Sequence, residues 1–61
     1  MTKKHFESIA SDIRQEVDFA RETERFEAVA ALRVLANSLA ATFQAMSPRF
    51  DRDVFLKACG F

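Results

Sequence analysis

Cys59 and His5 are of the residue types that form a nucleophile–base pair. A thiol becomes a good nucleophile when a nearby imidazole takes its proton and a third group orients that imidazole. The sequence marks out no third group, and the pair would form only if the two ends of the chain met. A lone cysteine in an amphipathic helix is more often a small core residue. We therefore interpret Cys59 as a core residue and predict no catalytic residue.

The carboxylates between Asp18 and Glu27 are the other residues that could do chemistry, as ligands of a cation. Arg21 and Arg25 lie among them, and such alternating charges are typical of a solvated surface. A structural zinc site needs about four cysteine or histidine ligands, and the chain has one of each. A single glycine excludes a glycine-rich phosphate loop. We predict no metal and no cofactor.

The C-terminal part of the chain could form a helix, a turn and a short helix, an arrangement that some DNA-binding proteins use. Arg49, Arg52 and Lys57 would then face phosphate, but Asp51 and Asp53 lie between them and would repel it. The formal net charge of the chain is zero, whereas a basic excess marks most nucleic-acid binders. A DNA-binding regulator is therefore the alternative reading, and nucleic acid is not the expected partner.

Length and composition limit how this chain can be stabilised. Its 61 residues make one small domain, and its single cysteine allows no internal disulfide. Hydrophobic residues make up 49% and charged residues 30%, which favours a folded chain over a disordered one. Helix packing, self-association or both must therefore supply the stability. The unpaired thiol and the absence of an apolar run after the first lysines indicate a cytoplasmic protein, the host cytoplasm if the chain is phage-encoded.

The first predicted element is an amphipathic helix over about residues 3–21. Its apolar residues recur at the three- and four-residue steps of one helical face. They are Phe6, Ile9, Ala10, Ile13, Val17 and Ala20. Thr2 is a candidate N-cap.

The second predicted helix covers about residues 24–46, with Thr23 as its N-cap. One unbroken helix over 3–46 is the rival interpretation, but it would leave a monomer almost nothing to fold against. The stretch 28–46 is about long enough to span a membrane. Polar residues interrupt it, namely Arg33, Asn37, Ser38, Thr42 and Gln44. We therefore do not expect a membrane span, and peripheral attachment stays open.

The third predicted helix, about residues 52–59, has signals at both ends. Asp51 is a good N-cap, and Phe50 can contact Phe55 as a hydrophobic staple. Gly60 stands where a left-handed residue ends a helix, with Phe61 placed to contact Leu56 in a Schellman motif. We predict an all-α fold: a helical hairpin of two long helices with this short C-terminal helix folded back on it.

The predicted core and the predicted interaction surface follow from these faces. The candidate core residues are Phe6, Ile9, Ile13, Val17, Phe26, Val29, Leu32, Leu39, Phe43, Phe50, Phe55, Leu56 and Phe61. The second helix carries more apolar surface than one neighbouring helix can cover. Its surplus, the candidate interaction surface, consists of Ala31, Val34, Leu35, Ala41 and Ala45. We therefore expect a homodimer or a larger oligomer.

Two terminal motifs resemble a family of short proteins from bacteriophages and prophages. The N-terminal motif is Lys3-Lys4-His5-Phe6-Glu7, and the C-terminal motif combines Pro48-Arg49-Phe50-Asp51-Arg52 with Phe55-Leu56 and Ala58-Cys59-Gly60. The resemblance covers about a third of the chain and implies a helical protein of phage origin. Members of that family have no established activity, so the resemblance implies no catalytic residue.

These observations favour a small, non-enzymatic protein of phage type that acts by protein–protein interaction. Its expected partners are itself and a further host or phage macromolecule whose activity it modulates. Besides the DNA-binding regulator, a protein that sequesters a small ligand between its subunits is a further alternative.

Overall fold

The fold, known from a computed structural model that describes residues 2–61, consists of three helices. These are α1 (Lys3–Glu22), α2 (Phe26–Met46) and α3 (Arg52–Ala58), and residues 2–61 contain no strand. Each helix packs against the other two, which confirms the predicted all-α hairpin with a short third helix. The molecule measures 36 × 18 × 14 Å. The main difference from the predicted bounds is that α2 begins at Phe26, two residues later than expected.

The turn between α1 and α2 is a Schellman motif that the sequence did not reveal. The amide of Arg25 donates to the carbonyl of Ala20 (2.8 Å), and the amide of Glu24 donates to that of Arg21 (3.1 Å). Glu24 has φ = 57°, the left-handed conformation that glycine usually supplies. The Thr23 hydroxyl donates to the carbonyl of Phe19 (2.8 Å). Thr23 therefore ends α1, and the prediction that it caps α2 is wrong.

Both ends of α3 have the geometry that the sequence predicted. The amide of Val54 donates to Asp51 Oδ1 (3.1 Å). At the other end Gly60 has φ = 99°, and the amide of Phe61 donates to the carbonyl of Leu56 (2.9 Å). These bonds satisfy backbone groups that a helix of seven residues would otherwise leave without partners.

Four phenylalanines fill the core where the three helices meet near Ser47. The ring of Phe6 lies 4.8 Å from those of Phe43 and Phe50 between centroids, and Phe43 lies 5.5 Å from Phe55 at an interplanar angle of 89°. Phe50 also contacts Phe55, with centroids 5.4 Å apart, as the predicted staple requires. Edge-to-face arrangements of this kind each add about 0.5–1.5 kcal/mol beyond the burial of area.

Small side chains fill the rest of the core. The completely or almost completely buried residues are Ala10, Val17, Ala36, Ala40 and Cys59. Alanine at a helix crossing lets the two backbones approach closely. A Cβ on Gly60 would lie 3.0 Å from Arg14 Cδ and 3.4 Å from Val17 Cγ1. The end of α3 thus sits directly on α1.

Most of the predicted core residues lie in or against this core. Ile13, Val17, Phe43, Phe50 and Phe55 are buried. Half-buried side chains packed against them are Phe6, Ile9, Leu32, Leu39, Leu56 and Phe61. Val29 is half-buried and lies outside the packed core.

Phe26 is the error in the predicted core, because 67% of its surface is exposed. The interpretation joined Phe26, Val29 and Leu32 into one stripe by steps of three residues. At about 3.6 residues per turn, two such steps carry Phe26 about 120° around the helix from Leu32. Phe26 also stands in the first turn of α2, opposite the end of α1, where the apolar stripe ends in the small Ala20.

Candidate interaction surface

The side of α2 that faces away from α1 and α3 is the candidate interaction surface, called here the outer face. The five predicted surface residues, Ala31, Val34, Leu35, Ala41 and Ala45, are all exposed. Val34 is the most exposed of the larger ones, at 67%. Phe26 and Met46, at the two ends of α2, are also exposed and extend the apolar surface.

The outer face is left uncovered because the three-helix fold uses only one side of α2. Ala36, Ala40 and Phe43 are its buried residues. Within its most apolar window of 18 residues, of mean hydropathy 1.3, only 17% of the residues are buried. A helix that is apolar around most of its circumference is usually buried on more than one side. The fold of a single copy therefore leaves apolar surface for which another surface would be a favourable neighbour.

Arg33, the one charged residue between residues 28 and 46, lies against the C-terminal aromatic ring. Its guanidinium carbon is 5.4 Å from the centroid of the Phe61 ring. The guanidinium carbon of Arg21 is 5.8 Å from the same centroid, and an Arg21 amino group donates to the carbonyl of Gly60 (3.1 Å). Cation–π contacts hold Arg33 at the edge of the outer face.

Two polar side chains beside the outer face hydrogen-bond within their own helix. Asn37 Nδ2 donates to the carbonyl of Arg33 (2.9 Å), and Thr42 Oγ1 donates to that of Ser38 (3.1 Å). A polar group costs free energy when it loses water without gaining a partner. Because these donors already have partners, covering the outer face would remove little hydrogen bonding to water.

By length and composition, α2 would also be able to cross a membrane. The same properties are found in core helices of soluble proteins. Here one side of α2 packs against both other helices, so a spanning α2 would have to leave them. The hairpin is therefore better described as a folded domain with an uncovered apolar face.

A second apolar feature is a groove of about 460 Å³ between the start of α1 and α3. Its floor includes Phe6, Ala10 and Phe55, and Val54 lies at its border with 60% of its surface exposed. The charged residues around it are Lys3, Glu7, Arg49 and Asp51. Two basic and two acidic groups give the groove no net charge, so it selects no sign of ligand.

The structure places the two candidate catalytic residues in different surroundings. Cys59 is completely buried, and burial raises the pKa of its thiol. A reactive cysteine needs the opposite, a lowered pKa and access to solvent. His5 is exposed, and its Nδ1 accepts a hydrogen bond from the amide of Thr2 (3.1 Å) at the start of α1.

The acidic residues near the first turn do not gather into a site. Asp18 accepts a hydrogen bond from Arg14 Nε (3.4 Å), one turn away on the same exposed surface of α1. Within residues 2–61, no group of three or more histidine, cysteine or acidic residues is placed to hold a metal ion.

Sequence reasoning missed the two ends of the outer face and the groove. Phe26 was assigned to the core, and only the later start of α2 shows that it is exposed. The groove depends on how the Ser47–Phe50 turn directs α3 across the start of α1, which no local pattern records. The chain matches no known protein-family model, no curated protein and no solved structure.

Proposed function

We propose that this is a small, non-enzymatic protein of phage type that acts by protein–protein interaction through the outer face of α2. It associates with itself there, and as a homo-oligomer it modulates a host or phage macromolecule in the cytoplasm. The observation that supports this proposal best is the uncharged, exposed run of Ala31, Val34, Leu35, Ala41 and Ala45. Contiguous apolar surface is the usual mark of an interaction site.

A matched pair of substitutions tests the proposal. Val34 on the outer face and Val54 on α3 have similar exposures, 67% and 60%. Val34→Glu places a charge in the proposed interface and should abolish self-association. Val54→Glu places the same charge elsewhere, at the third position of α3, where an acidic residue is favourable. It should leave self-association unchanged.

Light scattering coupled to size exclusion measures the mass of each variant over a range of protein concentrations. Equal masses for wild type, Val34→Glu and Val54→Glu at every concentration would refute the proposed interface. Circular dichroism at low concentration checks that both variants fold.

The alternative of a DNA-binding regulator predicts a different result. A mobility shift with duplex DNA that weakens steeply as salt rises is the mark of phosphate contacts. Self-association through an apolar face should instead persist or strengthen with salt. A wild-type protein that shifts DNA and stays monomeric would support the regulator and contradict the proposal.

For the further partner, a pull-down from host lysate with tagged wild type and tagged Val34→Glu gives the comparison. A protein retained by wild type and lost with Val34→Glu would bind the outer face or depend on the oligomer.

A further inference from the structure

We propose that the outer face of α2 packs on the same face of a second copy, antiparallel, about a two-fold axis at the level of residue 36. This inference rests on the proposed function and adds the orientation and the register of the pair. Residue 36 is the midpoint of α2, which runs from Phe26 to Met46, so the two helices overlap along their whole length.

The register follows from the spacing of the exposed residues on the outer face. They form a seam of six positions separated by four, three, four, three and four residues. The seam consists of Glu27, Ala31, Val34, Ser38, Ala41 and Ala45, all exposed. This is the spacing with which two helices pack side by side. It reads the same in both directions, so reversing one helix about residue 36 places seam position on seam position.

The residues that come together in this register are small. Ala31 lies opposite Ala41 of the second copy, and Val34 lies opposite Ser38 of the second copy. Small side chains let helix axes approach to about 8 Å, the close end of the usual range. Leu35 flanks the seam near the axis, so it would contact Leu35 of the second copy.

Charge decides between the antiparallel and the parallel orientation. A parallel pair with matched seams would place Glu27 beside Glu27 of the second copy, and like charges at such a distance repel. The antiparallel pair places Glu27 opposite Ala45 of the second copy, near solvent at the end of the seam. It also sets the positive end of each helix dipole beside the negative end of the other.

The area of the outer face fits a reversible dimer. With 21 residues, α2 is about 31 Å long, and half the circumference of a helix about 10 Å wide is about 16 Å. Each copy thus offers about 500 Å², and a pair would bury about 1,000 Å², the lower limit for a specific interface. The dimer should therefore form and dissociate with concentration.

Cysteine cross-linking tests the register. A disulfide forms only where two Cα atoms lie within about 7 Å. Cys59 is completely buried, so wild type gives the background. Leu35→Cys should form covalent dimers by itself, since it lies beside the axis. Ala31→Cys and Ala41→Cys should form a mixed dimer with each other, visible as an intermediate size when one is tagged, and should stay at background alone.

Each other result has a defined meaning. Self-linked dimers of Ala31→Cys, Val34→Cys and Ala45→Cys, each alone, would show a parallel pair and overturn the inference. A dimer by sedimentation that gives none of the expected cross-links would overturn the register and leave the proposed function standing. A monomer by sedimentation would overturn both, and binding of that monomer to phosphatidylglycerol vesicles would identify a lipid surface as the occupant of the outer face.

Discussion

The inner and outer sides of α2 are built from the same kinds of residue and lie in opposite environments. Ala36 and Ala40 are completely buried, whereas Ala41 and Ala45 are exposed on the same helix. The difference arises because α1 and α3 both pack on one side of α2. Apolar composition therefore does not say which side of a helix forms the core. Substitutions on the two sides should affect different properties, stability on the inner side and association on the outer side.

The largest expected effect is that of Phe43→Ala on the inner side. Phe43 is buried and its ring contacts three other phenylalanine rings. Removing such a side chain lowers the free energy of unfolding by about 3–5 kcal/mol, which in a domain of this size can abolish folding. Thermal denaturation followed by circular dichroism measures the loss. A melting curve like that of wild type would contradict the core assignment.

Two neighbouring alanines provide a matched test of the two sides. Ala40→Leu inserts a large side chain into a closely packed contact and should lower the free energy of unfolding by about 1–3 kcal/mol. Ala41→Leu adds the same atoms on the outer side, where the expected change in the stability of the monomer is within about 0.5 kcal/mol. Urea denaturation at low protein concentration measures both. Equal losses would mean that both sides of α2 are packed in the monomer.

The turn that separates α1 from α2 offers a change in stability that touches neither side. Glu24 holds a left-handed conformation (φ = 57°) that costs a residue with a Cβ about 1–2 kcal/mol. Glu24→Gly should relieve part of that cost and raise the free energy of unfolding by about 1 kcal/mol at most, since glycine gains freedom in the unfolded chain. The dissociation constant of the dimer should stay the same. Lower stability of Glu24→Gly in urea denaturation would contradict this description of the turn.

The smallest expected effect is a pH dependence from the buried thiol on the inner side. Burial raises the pKa of Cys59 above its ordinary value, so the folded state holds the proton more tightly than the unfolded state. The unfolded state then binds fewer protons at high pH, and stability falls as pH rises from about 9 upward. Cys59→Ala should remove this part of the loss. Denaturation curves of wild type and Cys59→Ala at pH 7 and pH 10 measure the difference, and equal slopes with pH would contradict it.

The elements that sequence reasoning predicted well are those with a local signal. Asp51, Gly60 and the Phe50–Phe55 pair each act within a few residues, and together they define both ends of α3. The turn after α1 lacked such a signal, because Glu24 adopts a conformation that its residue type does not favour. Thr23 suits either end of a helix, and only the structure shows its hydroxyl bonded to Phe19.

The arrangement of the faces depended on contacts that no local pattern contains. The predicted outer-face residues were found from a surplus of apolar positions on α2, and the structure places them all on the surface. Ala40 was missed because alanine contributes little to any hydrophobic pattern, yet it is completely buried. Phe26 was misassigned because a large aromatic residue adds more to a stripe than its angular position on the helix justifies.

Sedimentation equilibrium of the wild-type protein over a wide concentration range tests the central claim most directly. If the outer face of α2 binds a second copy, the average mass should rise from about that of one chain, 6.9 kDa, toward twice that value as concentration increases. The Val34→Glu variant should remain at the mass of one chain throughout. A wild-type protein that keeps the mass of one chain at high micromolar concentration would contradict the account.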